Sequence, residues 1–157
     1  MHTDNSPSGN ILRIISGVPE HLRKSIVLNK ILEFSSMSNE QKTETVQSVL
    51  EGYCSLDRAS LIPMLTTSFR IVSNQDIHLI VKTFCIYFDI ILSHPEIQRA
   101  LDLQPIIETL DTLSVRQRRL LFDCYFEALL LHSKRRRLIP MIPEFAAEYL
   151  RTLDSLS

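Results

Sequence analysis

Glycine is scarce: the 157-residue chain holds only Gly9, Gly17 and Gly52, where average usage of ~7% would give about eleven. Loops that cradle phosphate through the backbone need clustered glycines, because the chain must turn tightly and come close to the anion. No two of these three stand in such a motif, so the Rossmann fingerprint and the P-loop are both excluded. Tryptophan is absent altogether. Long apolar runs are missing as well. The two greasiest stretches, 77–92 and 120–131, are interrupted by His78, Lys82 and Asp89 and by Asp123 and Glu127, and fall short of the ~20 apolar residues that a membrane span requires.

The three cysteines, Cys54, Cys85 and Cys124, are odd in number and far apart, each inside an apolar stretch. That pattern reads as reduced core thiols and points to a cytoplasmic setting. The histidines offer no His-x-x-x-His pair, so neither a metal nor a cofactor is expected. Asp89 with His94, or Cys124 with His132, would be the nearest approach to catalytic pairs. Neither comes with an orienting third group or an oxyanion hole, and no enzyme is expected. Residues 1–10 are polar, with no basic and then apolar segment, which reads as a disordered tail rather than a signal peptide.

What the chain does contain is a hydrophobic content of 45%, enough for one domain over 11–157 with its own core. Self-similarity is visible within it. Leu61-Ile62-Pro63-Met64-Leu65 returns as Leu138-Ile139-Pro140-Met141-Ile142, with Leu103-Gln104-Pro105-Ile106-Ile107 as a looser copy between them. Upstream of each lies a serine followed three residues later by Gln or Asp: Ser38 with Gln41, Ser73 with Asp76, Ser114 with Gln117. This is the capping-box pattern, in which two side chains satisfy amides orphaned at a helix start. A proline is tolerated in a first helical turn, where its missing N–H costs nothing. Each unit therefore reads as a helix opened by the serine and a second helix opened near the proline.

The resulting map is a helix over 19–35, then pairs at 38–53 and 59–72, 74–92 and 95–111 with a break near Gln104-Pro105, and 114–132 and 137–153. The units run about 38–72, 73–112 and 113–153. The class is all-α, with no strand needed. Helix 74–92 is apolar nearly all round and belongs in the middle of the stack. This period and helix pattern resembles the HEAT and armadillo repeats, whose units run to ~40 to 47 residues, more than the tetratricopeptide repeat, whose signature residues are missing. The resemblance implies a right-handed α-α superhelix or solenoid of about three helix pairs plus an N-terminal helix. A compact right-handed superhelix of seven helices leaves a similar trace.

Charge is unevenly spread. Residues 113–142 carry Arg116, Arg118, Arg119, Lys134, Arg135, Arg136 and Arg137 against two acids, a net +5, within a chain whose total is −1. The island, 116–137, either binds an anionic partner or complements the dipole of a helix end. Aligning the first helices on their serines forms rows of Thr43, His78 and Arg119, of Gln47, Lys82 and Asp123, and of Glu51, Ile86 and Glu127. Such rows either line the face used for partners or form an ion-pair ladder, with Lys82 bridging Asp123 or Glu51. The expected function is a protein-interaction module, an adaptor or regulatory subunit, binding along this face. The alternative is a nucleic-acid or phosphate-binding helical protein that uses the basic island. Self-association through an exposed end of the stack is compatible with either.

Overall fold

The computed structural model describes residues 7–154, and among them every regular element is a helix. The order is α1 (Pro7–Gly17), α2 (Glu20–Ser35), α3 (Asn39–Ser55), α4 (Arg58–Val72), α5 (Ile77–Ser93), α6 (Pro95–Ala100), α7 (Leu103–Thr112), α8 (Val115–Leu131), α9 (Arg135–Leu138), a 3-10 turn (Ile139–Met141) and α10 (Glu144–Asp154). α1 starts inside the stretch expected to be a tail; the rest of that expectation, 1–6, lies outside the described residues.

Two of the three capping boxes form. Ser38 Oγ accepts the Gln41 amide at 3.2 Å while Gln41 Oε1 accepts the Ser38 amide at 3.0 Å. Ser114 and Gln117 repeat the exchange at 3.1 Å in both directions. The middle one does not. Ser73 instead ends α4, buried, with its hydroxyl donating to the Arg70 carbonyl, and α5 is capped by Asp76 Oδ1 accepting the His78 amide at 2.8 Å. Gln75 and Asp76 are spent in the turn, so α5 opens three residues later than the serine alone suggests.

The proline rule holds once in three. Pro105 lies in the first turn of α7, but Pro63 is inside α4, which Asp57 starts by accepting the Ser60 amide. Pro140 falls in the 3-10 turn, and the helix expected over 137–153 is broken into α9, that turn and α10. A second proline, Pro143, explains the break, since it disfavours helical backbone at Ile142 and reopens a helix behind it. The Pro63 and Pro140 segments are therefore not equivalent elements.

α3 packs on α1 and α5, and α5 packs on α8; α4 packs on α2 and α7. The apolar residues of α5 divide accordingly. Ile80, Val81, Phe88 and Ile91 join a core with Leu121, Cys124, Phe126, Ala128 and Leu129 of α8, while Ile86 and Ile90 pack with Phe34 and Ile97. A third cluster holds Leu12, Val27, Leu61, Met64 and Leu65. Cys85 and Cys124 are free thiols, and burial pushes both above the usual thiol range, while Cys54 Sγ lies 3.7 Å from the Ile97 carbonyl oxygen.

Candidate functional site

The basic run follows the C-terminal end of α8 and is held from inside. His132 is buried, its Nε2 2.6 Å from Asp89 Oδ1 on α5 and its Nδ1 accepting the Lys134 amide at 3.0 Å. With Nδ1 an acceptor, Nε2 is the protonated nitrogen and donates to the carboxylate. Four residues on from Lys134, Leu138 is 1% exposed and pins α9 to the core. Between these anchors Lys134, Arg135, Arg136 and Arg137 are all exposed, and none makes an ion pair with a described residue. Apolar residues flank them in the open: Leu130 is 70% exposed, Leu131 68% and Ile139 54%.

Other basic residues of the island are separate from the run. Arg116 lies at the far end of α8, about 25 Å away at 1.5 Å rise per residue, where it lines a cleft of about 230 Å³ with Asn74, Ser114 and Gln117. Arg118 pairs with Asp111 at 3.7 Å. Arg119 is beside Tyr149, whose phenol is raised by desolvation first and then by its 2.9 Å bond to Asp123. One continuous basic patch over 116–137 is not formed.

The rows of the first-helix face are interrupted. His78, Arg119, Lys82, Asp123, Glu51 and Glu127 are exposed, but Ile86 is buried. Lys82 pairs with neither Asp123 nor Glu51; Asp123 accepts from Tyr149, and Glu51 accepts from Gln47 at 3.1 Å. Of the two His pairings considered from sequence, neither forms. His94 meets Glu96 at 3.2 Å, and Asp89 takes His132. That imidazole has both ring nitrogens engaged in holding the turn. Among the described residues no cluster of three His, Cys, Asp or Glu side chains could hold a metal ion, and no helix is long and apolar enough to cross a membrane.

A feature missed in the sequence is the cleft between α3 and the start of α5, about 440 Å³, lined by Ser35, Lys42, Gln75, Asp76, His78 and Lys82. Lys42 is only 8% exposed. Its Nζ sits 5.8 Å from the centre of the Phe34 ring and has no hydrogen bond or ion pair among the described residues. The available signal was helical spacing. Lys42 precedes Val46, Val49 and Tyr53 by four, seven and eleven residues, which puts a cation on the apolar stripe of α3. No family model, no curated protein and no solved structure matches this chain.

Proposed function

We propose that the chain is a non-enzymatic, HEAT-like helical-repeat module that binds another protein. The repeat reading is supported by the matching capping boxes at Ser38 and Ser114, which open α3 and α8, and by successive packing of α1, α3, α5 and α8 beside α2, α4 and α7. The binding reading rests on one observation. Leu130, Leu131 and Ile139 lie open to solvent beside four cations that pair with no described residue, on a turn anchored by His132 and Leu138. Large apolar side chains exposed together beside polar neighbours mark interaction surfaces, and the cations select for acidic residues around an apolar contact. The partner is therefore a protein segment carrying both leucine-like and acidic side chains. This moves the interface from the whole first-helix face to the α8–α9 end.

Nucleic acid is the competing occupant, since the run would meet phosphates equally well. The aromatic rings of this half, among them Phe88, Tyr125 and Phe126, pack against one another in and around the core, and residues 133–142 contain no Phe, Tyr or Trp to stack a base. Two variants separate the readings: Arg135→Glu with Arg136→Glu, and Leu130→Ser with Leu131→Ser. Affinity capture on the immobilised full chain should retain a protein that both variants lose, with melting temperatures nearly unchanged because the groups are exposed. A labelled single-stranded RNA probe that binds more tightly as salt falls, is lost on charge reversal and ignores the leucine variant would overturn the protein reading.

A further inference from the structure

We propose that the cleft between α3 and α5 is a binding site for a compact phosphate group, held between the ammonium groups of Lys42 and Lys82 at the N-terminal end of α5. The site is remote in sequence from the basic run and does not depend on that run's function.

The first argument is Lys42 itself. Burying a lysine without an anion for its ammonium group is costly, yet the Lys42 residue is more than nine-tenths covered, with its Nζ over the Phe34 ring and no described residue in ion-pair contact with it. Among the described residues no fully buried side-chain nitrogen or oxygen lacks a hydrogen-bond partner. The unbonded Lys42 Nζ must therefore keep contact with solvent, and the cleft it lines provides that contact. A largely buried cation that lines a cleft is placed to meet an anion there.

Second, the rest of the lining supplies matching groups. Lys82 is exposed and pairs with no described carboxylate. The start of α5, a 17-residue helix, adds the positive end of its dipole and first-turn amides. Ser35 and Gln75 complete the polar lining, the Ser35 hydroxyl already donating to the Leu32 carbonyl at 2.7 Å and Gln75 Nε2 donating one hydrogen to the Ile71 carbonyl at 3.1 Å. Asp76 opposes an anion, but its Oδ1 is turned to the His78 amide as the helix cap. Two ammonium groups against one carboxylate leave a net positive cleft. Its volume of about 440 Å³ suits a phosphate with a small substituent.

The ligand chemistry is a phosphate dianion, either free or carried as a monoester. Amide NMR titrations of the full chain with inorganic phosphate and with phenyl phosphate distinguish these sources by which binds more tightly. Resonances of Lys42 and of Gln75 to Leu79 should shift and saturate. Lys42→Met, which keeps the stem and removes the charge, should weaken binding at least about tenfold, as losing one charge-assisted contact does. Lys82→Ala, at an exposed position, should weaken it with the fold intact, and carries the test alone if Lys42→Met fails to fold. Absence of saturable shifts at millimolar ligand, full affinity in Lys82→Ala, or loss of binding on reversing Arg135 and Arg136 instead would overturn the assignment.

Discussion

His132 is the residue on which the basic turn depends. It is buried against the edge of Phe88, with ring centroids 6.3 Å apart, and joins Asp89 of α5 to the backbone of the turn. Truncating it to alanine removes two hydrogen bonds and opens a cavity. His132→Ala should cost about 2 to 4 kcal/mol by urea denaturation, whereas Asp89→Asn, which still accepts the Nε2 proton, should cost less than half of that. Equal losses would contradict the geometry. The tyrosines give a second test at this scale. Burial holds the phenol of Tyr87 up to about 12 and raises those of Tyr53 and Tyr125, and Tyr149 is raised as well. A phenol that ionises near 10 when unfolded and higher when folded leaves stability intact below pH 10 and removes it as pH climbs through 12, because the unfolded chain then binds fewer protons. Phenolate absorbance of the native chain should therefore lag that of the urea-unfolded chain, appearing together with loss of helical circular dichroism. Coincident titration curves for the two states would refute this. Which apolar residues are buried was legible only in part. Ile86, Phe88, Leu121 and Phe126 are core, Leu50 and Phe84 are half-buried, and Leu130 is exposed, because the last turn of α8 turns Ala128 and Leu129 inward and leaves Leu130 on its outer side.

Helix starts were the most legible elements, since a cap is a local interaction written within four residues. The serines at 38 and 114 open α3 and α8 as their spacing suggests. The serine at 73 fails because Asp76 can also cap, and the choice between Ser73 and Asp76 depends on where α4 stops, which packing decides. Substitution distinguishes the roles. Ser38→Ala and Ser114→Ala should each destabilise by ~1 kcal/mol, the usual value of an N-cap. Ser73→Ala should stay within ~0.5 kcal/mol, because the Arg70 carbonyl it bonds still receives the Asn74 side-chain amide at 3.1 Å. A larger loss at Ser73 than at Ser114, measured by thermal denaturation, would contradict this assignment of caps. The prolines misled for a related reason: a recurring Ile-Pro-Met string fixes local backbone but not its place in a helix. Pro63 is carried inside α4 by burial of Leu61, Met64 and Leu65 around it, whereas Pro140 has Pro143 close behind and the chain breaks. Lys42 was missed because a single lysine on an apolar stripe reads as a solvated side chain until α5 is brought over it.

At the scale of the molecule, the near-uniform hydrophobicity of α5 made its central position readable: α3 covers one side and α8 another. What ties the two ends together was not readable, because it rests on a few long-range contacts. Phe69 of α4 and Ile106 of α7 each pack against both the cluster around Phe88 and the cluster around Leu65. In a stack where stability passes from neighbour to neighbour, such residues carry the coupling between ends. Removing them should affect cooperativity and not only stability. Phe69→Ala with Ile106→Ala should lower the urea midpoint and also flatten the transition, because the Leu65 side can then open while α5 and α8 stay folded. Leu129→Ala, inside one cluster alone, should lower the midpoint by the ~2 to 5 kcal/mol of a buried leucine and leave the slope unchanged. Amide exchange locates the uncoupling. In the double variant, α1, α2 and α4 should lose protection while α5 and α8 keep it, whereas in Leu129→Ala all should lose it together. Parallel transitions with the same slope in both variants, and uniform loss of protection in each, would mean that the clusters form one cooperative core and that Phe69 and Ile106 are ordinary members of it.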